Sequence, residues 1–257
     1  MSKRMTGIES NPVKLFQKRV TVISMVGDIG KSTIANDLLC PRMPDATMIR
    51  VETINSSGKS GAKLELRYRG DQLGEVKVAA TKSASSIIDV GTSNVEAFIL
   101  RINDDFGSHQ FFDYFLVPVL AKNREKETKD ALKTLIALRD MGVEPARIKV
   151  IFNQLPKTST LEDECEVIFN FHRTDPFFTL SRKAVIHESE AFVALNDVGK
   201  SYLEMVDDDT NYYQTLNEIP LEDEEARVRT IKLARAQGTV KKLEMEMSDT
   251  FAALFGG

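Results

Sequence analysis

Strand and helix signals alternate through position 200 of this chain, which predicts an α/β fold with a doubly wound, mainly parallel sheet. Two further observations support that class. Several short segments are almost continuously apolar and β-branched, as strands covered on both faces must be. Four clusters of polar residues, at 27–33, Glu52, Asp89 and Asn153, each fall just after such a segment. Parallel sheets of this kind bind ligands beyond the carboxyl ends of their strands, so the four clusters share one edge of the predicted sheet.

The elements follow in order. Residues 19–25 read as a buried strand. A glycine-containing turn leads into a helix over 31–39, with Ile34, Ala35, Leu38 and Leu39 at helical spacing and Pro41 as its stop. Residues 47–51 form a second short strand, and 55–61 a polar loop rich in glycine and serine. Residues 62–85 admit two readings: Leu64, Leu66 and Tyr68 alternate as in a strand, while 71–83 suits a helix. Residues 86–90 are a short buried strand ending in an acid. Ser93 with Glu96 then predicts a capping box ahead of an apolar helix over 95–102. Residues 114–120 form another strand despite Pro118, and 124–141 the clearest helix, closed by Gly142. Strands over 148–152 and 184–187 complete the sheet. A nucleotide-binding-size domain over 18–205 and a helical C-terminal extension over 206–257, packed on it, are the expected organisation.

Composition narrows the class. The 257 residues are 42% hydrophobic and 28% charged, the balance of a soluble globular protein with a full core. Cys40 and Cys165 form neither a disulfide framework nor a ligand cluster, and 1–5 is followed by polar residues, so a reducing cytoplasm is expected, a bacterial one on the family resemblance below. No apolar run reaches the roughly 20 residues that span a bilayer, so no membrane is expected as a partner. The net charge of −4 gives no bulk attraction to nucleic acid.

The chemistry concentrates at Gly27-Asp28-Ile29-Gly30-Lys31-Ser32-Thr33. A bound triphosphate needs backbone N–H donors, a helix N-terminus, a cation and a hydroxyl for the metal. Gly27 and Gly30 let the backbone turn around phosphates, Lys31 reaches the β- and γ-phosphates, and Ser32 ligates Mg²⁺. Thr33 is placed for the α-phosphate. Met25 replaces the first glycine of the G-x-x-x-x-G-K-[ST] pattern. Asp89 is the natural metal-supporting carboxylate, or else a cap on the Thr92-Ser93 turn. Glu52 is placed to orient water, or is simply a strand-end acid. Asn153 is a candidate contact to an adenine edge, or a turn asparagine.

Together these residues resemble the ParA/MinD family of deviant P-loop ATPases, and within it the StbB/TraL plasmid-stability and conjugation proteins. In that branch a helix closes near LLAPR, matched by Leu38-Leu39-Cys40-Pro41-Arg42. An ESIN is matched by Glu52-Thr53-Ile54-Asn55, and a DVGASN by the stretch from Asp89 to Asn94. The likeness spans about residues 18–200. It implies an ATPase with ATP and Mg²⁺ as cofactors, a DNA-bound plasmid partner protein and an ATP-dependent homodimer. It makes Lys31 and Ser32 the phosphate and metal contacts, Asp89 the Walker B acid, Glu52 the support for hydrolysis and Asn153 the base contact. The family's second, signature lysine is absent, because Val26 stands in its place. Slow or partner-activated turnover follows. The alternative is an adaptor that binds nucleotide without hydrolysing it. A metabolic phosphoryl-transfer enzyme would need an arginine-rich lid, and no segment reads as one.

Two C-terminal features remain. Residues 226–243 carry Arg227, Arg229, Lys232, Arg235, Lys241 and Lys242, either as non-specific DNA contacts or as a solvated helix suited to its own dipole. Leu243, Met247, Phe251 and Leu254 make a helical stripe expected to dock on the domain. The three histidines are read as structural or surface residues, and Phe169, Phe171, Phe177 and Phe178 as packing.

Overall fold

A computed structural model describes residues 16–53 and 64–256. The basic start at 1–5, the polar loop at 55–61, and Ile54 and Asn55 of the ESIN match lie outside them. Among the described residues, seven strands form one sheet: β1 (Arg19–Val22), β2 (Thr47–Val51), β3 (Leu64–Tyr68), β4 (Ser86–Val90), β5 (Tyr114–Leu120), β6 (Ile148–Leu155) and β7 (Val185–His187). Their order is β3-β2-β4-β1-β5-β6-β7 and every pairing is parallel. β1 lies between β4 and β5, so the loop after it opens at the middle of the sheet's carboxyl edge.

Parallel strands require crossovers, and helices provide them. In chain order the helices are α1 (Lys31–Thr33), α2 (Leu73–Ala80), α3 (Val95–Asp104), α4 (Glu125–Asp140), α5 (Leu161–Glu164), α6 (Glu166–Thr174), α7 (Ala191–Val198), α8 (Tyr202–Val206), α9 (Tyr212–Glu218) and α10 (Glu224–Phe255), of which α7 to α10 follow the last strand. Both readings of 62–85 hold, in succession, as β3 and α2. One core lies under α2, α3, α4 and α6, built on Ile88, Phe98, Phe115, Leu135 and Ile168. The other joins α7, α8, α10 and the helix after the first loop, through Ile34, Leu38, Leu195, Met205 and Met247.

The sequence pattern predicted most of this for physical reasons. β2 and β4 are buried at every position, as central parallel strands are, whereas β3 at the sheet's margin keeps partial exposure. Pro118 is tolerated inside β5 because β1 has already left that side: their last paired residues are Val22 and Leu116. Gly142 adopts φ 80° after α4, the left-handed stop that glycine provides. The four phenylalanines pack as expected, with the Phe169 ring stacked 5.5 Å from that of Phe152.

Three local expectations are corrected. The helix over 31–39 is α-helical only at Lys31–Thr33 and continues as a π-helical turn, Ile34–Leu39, whose wider ring closes when the Cys40 N–H donates to Ala35 O. The Ser93–Glu96 capping box does not form. A short 3₁₀ turn over Thr92–Asn94 moves the start of α3 to Asn94, whose Oδ1 instead accepts from the Gly70 N–H at 2.9 Å. The strand over 148–152 runs on to Leu155 through a bulge, with Gln154 at φ 60°.

α10 is 32 residues long, about 48 Å at 1.5 Å per residue. Asp223 caps it by accepting from the Ala226 N–H at 3.0 Å, with Glu224 and Glu225 in the first turn suiting the dipole. Its stripe of Leu243, Met247 and Leu254 is buried. Arg42 fastens its middle to the end of the π-helical turn. Nη1 donates to Leu38 O at 2.9 Å, and Nη2 to Glu244 Oε1 at 2.6 Å and Ser248 Oγ at 3.0 Å. Among the described residues, no helix is long and apolar enough to cross a membrane.

Candidate phosphate-binding site

The loop between β1 and α1 is shaped by what it buries. Val26 and Ile29 are 4% and 1% exposed, and they pin it to the core while Asp28 and Ser32 face outward. Thr134 on α4 accepts from the Met25 N–H at 3.0 Å, which ties the start of the loop to a buried helix. Asp28 and Gly30 have φ 53° and 81°, so the chain reverses around its own N–H groups before α1 begins. Successive backbone N–H groups in such a turn form a concavity suited to anions.

The two loop glycines differ. Gly30 is required twice. Its φ is left-handed, and a methyl group there would lie 2.5 Å from Asn153 Nδ2. A methyl group on Gly27 would meet nothing within 4 Å, and its φ is not left-handed. Gly27 is therefore not needed for the turn itself, contrary to the expectation from sequence.

Lys31 is 8% exposed, and its ammonium lies against the loop. It donates to Val26 O and to Thr92 Oγ1, both at 2.6 Å, and Thr92 in turn donates to Val26 O at 3.2 Å. Burial lowers the Lys31 pKa, while Asp89 and Asp28 act in the opposite sense. Val26, at the place of the signature lysine, thus turns its side chain inward and contributes only its carbonyl to the site.

Asp89 is the next-to-last residue of β4, 3% exposed. It accepts from Arg50 Nη1 at 2.7 Å, and the Ser32 side chain is a further neighbour that favours its charged form. The Thr92–Asn94 turn has no side-chain cap, so Asp89 does not cap it here. Burial pushes its carboxyl above the usual range, and Arg50, Ser32 and Lys31 pull it back. Arg50 is the residue beside Asp89 that sequence reasoning missed. It sits on β2, 2% exposed, and also donates to Asn36 Oδ1 at 2.8 Å. Its Nε lies 3.3 Å from Glu65 and 3.9 Å from Glu52. A charged residue inside TMIRV was the available signal. Glu52 is partly buried, its carboxyl raised chiefly by that burial.

Asn153 lies beneath the loop on the other side. Its Nδ2 donates to Ile29 O at 2.8 Å, leaving Oδ1 as its remaining side-chain acceptor. A cavity of about 300 Å³ opens beside Gly30 and Thr33, lined by Asn153, Gln154, His187 and Phe192. Met247 of α10 closes it. The structure therefore brings together Lys31, Ser32, Thr33, Asp89 and Asn153 around one loop, with Glu52 joined through Arg50. Ser32 and Asp89 are hard oxygen donors of the kind Mg²⁺ takes, so this neighbouring pair fits that metal beside a bound phosphate, while no cluster of three or more acidic, histidine or cysteine ligands is found among the described residues.

The basic stretch is partly engaged within the molecule. Arg227 donates to Ile219 O at 2.9 Å, Arg235 pairs with Glu190 at 2.7 Å and Lys241 with Asp209 at 3.5 Å. Arg229, Lys232 and Lys242 are exposed. His172 and His187 make local contacts, with Phe178 O at 2.9 Å and with Glu246 at 2.6 Å. Both cysteines are buried and free.

No family model matches the chain, and none of the curated proteins matches it. Among solved structures, the ParA family ATPase from Chlorobium tepidum is 12% identical. The match covers 94% of this chain and 99% of that one, with a TM-score of 0.52. Apo McdA from Cyanothece is 16% identical, covers 85% of this chain and 98% of its own, and has a TM-score of 0.48. The septum site-determining protein MinD from Pyrococcus horikoshii, complexed with Mg-ADP, is 12% identical with coverages of 88% and 98% and a TM-score of 0.42. The likeness to the Chlorobium protein establishes a shared fold: a seven-stranded parallel P-loop sheet with flanking helices.

Proposed function

We propose that this chain is a ParA/MinD-type ATP-binding protein, a slow or partner-activated ATPase of the StbB/TraL kind, acting in plasmid stability, partition or conjugative transfer. One observation carries the reading. Lys31, the neighbouring Ser32–Asp89 pair and the left-handed turn at Asp28 and Gly30 meet at the central carboxyl edge of a sheet shared with a ParA family ATPase.

In this reading the N–H groups of residues 27–33 cradle the phosphates, and Lys31 exchanges Val26 O and Thr92 for phosphate oxygens. Ser32 and Asp89 would hold Mg²⁺, which when bound offsets the charge that develops on the transferred phosphoryl group. Thr33 faces the α-phosphate, Glu52 orients the attacking water, and Asn153 offers Oδ1 to the base in the adjoining cavity. A missing arginine-finger-type cation costs about 10³- to 10⁵-fold in rate, and the absent lysine at Val26 is a deficit of that kind. The partner would be a DNA-bound plasmid protein, and ATP would favour a homodimer. Arg229, Lys232 and Lys242 are exposed basic residues outside those ion pairs that could also meet DNA phosphates.

A second reading, an adaptor that binds ATP without hydrolysing it, is favoured by the inward side chain of Val26 and by the Arg50–Asp89 pair. Phosphate release from Mg-ATP, followed with and without duplex DNA, separates the two. The ATPase reading expects slow multiple turnover, stimulated by the partner or DNA and abolished by Asp89→Ala. Tight binding with no turnover under any of these conditions supports the adaptor.

A further inference from the structure

Arg50 is unusual in carrying a full charge at a central position of a buried parallel strand. Its neighbours on β2 are Thr47, Met48, Ile49 and Val51, all buried. The sheet register places it beside Asp89 on β4, and the two meet at 2.7 Å with side chains 3% and 5% exposed. The guanidinium makes further contacts, although among the described residues its buried Nε has no hydrogen-bond partner. It holds Asn36 on the π-helical turn at 2.8 Å, and its Nε faces Glu65 at 3.3 Å and Glu52 at 3.9 Å. A buried charge without partners is costly, so Arg50 and its acids stabilise one another as a set.

That set includes both carboxylates assigned to the nucleotide chemistry. A divalent cation gains from a carboxylate whose charge is free, and much less from one already neutralised at hydrogen-bond distance. We infer that Arg50 is a positioning residue, the resident cation of Asp89, and that it makes nucleotide binding at the phosphate loop only weakly dependent on Mg²⁺. Asp89 is held ready and electrically balanced by the chain itself, and it turns to a metal ion only as its hold on Arg50 loosens. Lys31 remains the principal phosphate cation throughout. This inference rests on the nucleotide-binding reading above.

The test is equilibrium binding of a fluorescent ATP analogue to the full chain, in excess EDTA and in excess Mg²⁺. For the wild type, the two dissociation constants should differ by less than about threefold; for Arg50→Met, affinity without metal should fall so that the ratio exceeds about tenfold. Arg50→Lys keeps the charge but cannot serve Asp89, Asn36 and Glu65 together, and its ratio should lie between. If Arg50→Met does not melt cooperatively, the Lys variant decides alone, by a ratio above that of the wild type. Equal ratios in wild type and variants, or a wild type that itself needs Mg²⁺ by more than about tenfold, overturn the inference. A wild type that binds in neither buffer removes the nucleotide-binding reading itself, and the inference with it.

Discussion

At the scale of single residues, Gly30 and Asp37 show how burial and backbone geometry set what the site tolerates. Gly30→Ala forces a left-handed alanine against Asn153 and should destabilise the fold by about 2–4 kcal/mol, whereas Gly27→Ala should stay within about 1 kcal/mol. Urea denaturation of the two variants checks the contrast. Asp37, on the π-helical turn, is pushed up to about 7 by burial. Between about pH 4 and 7 the folded chain therefore binds a proton that the unfolded chain has lost, so stability falls as pH rises through that window and levels above it. The penalty above pH 7 is about 2–4 kcal/mol, allowing for the residue's partial exposure. Asp37→Asn should flatten that slope and raise stability at pH 8 while changing little at pH 4, as denaturation at several pH values will show. Lys31 and Ser32 could be singled out because a phosphate loop has a short, ordered signature, and Asp89 because an acid stands near the end of an apolar strand. Arg50 was not legible. Its role depends on β2 pairing with β4, a contact between residues 39 positions apart.

At the scale of elements, α10 and β7 complete each other. β7 is the last strand of the sheet, and an open edge carries unpaired backbone groups. Side chains of α10 satisfy them. Glu246 accepts from both the N–H and the Nδ1 of His187 at 2.6 Å, and Thr250 donates to Val185 O at 2.7 Å. Thr250 is 1% exposed, so Thr250→Val leaves the Val185 carbonyl without that donor and should cost about 1–3 kcal/mol. Met245→Ala, on the exposed side of the same helix, should stay within about 0.5 kcal/mol. A chemical-denaturation midpoint for each variant decides between a docked helix and an appendage. The apolar stripe of this helix could be read from spacing alone. Its polar contacts could not, because they pair side chains with the backbone of a strand some 60 residues earlier. The Ser93–Glu96 box failed for a related reason: one extra 3₁₀ turn shifts the cap to Asn94, and no local pattern announces that turn.

At the scale of the molecule, the α10 contacts and the phosphate loop belong to one assembly. Arg42 joins the end of the π-helical turn to Glu244, Tyr202 donates to the same carboxylate at 2.6 Å, and Met247 walls the cavity beside the loop. The cavity beside the loop is thus walled in part by the long helix that carries the exposed basic residues. The all-parallel sheet and its central loop were readable from alternating strands and helices. The fastening of the C-terminal helix to the end of the π-helical turn was not, since it joins residues 202 positions apart. The central claim is that the loop at 27–33 binds ATP through Lys31. Isothermal titration of ATP into the wild type and into Lys31→Ala, with matched thermal melts of the ligand-free proteins, tests it most directly. The account predicts saturable one-site binding by the wild type and an affinity lower by about tenfold or more in the variant at an unchanged melting temperature. Absence of binding by the wild type, or equal affinity in the two proteins, would contradict it.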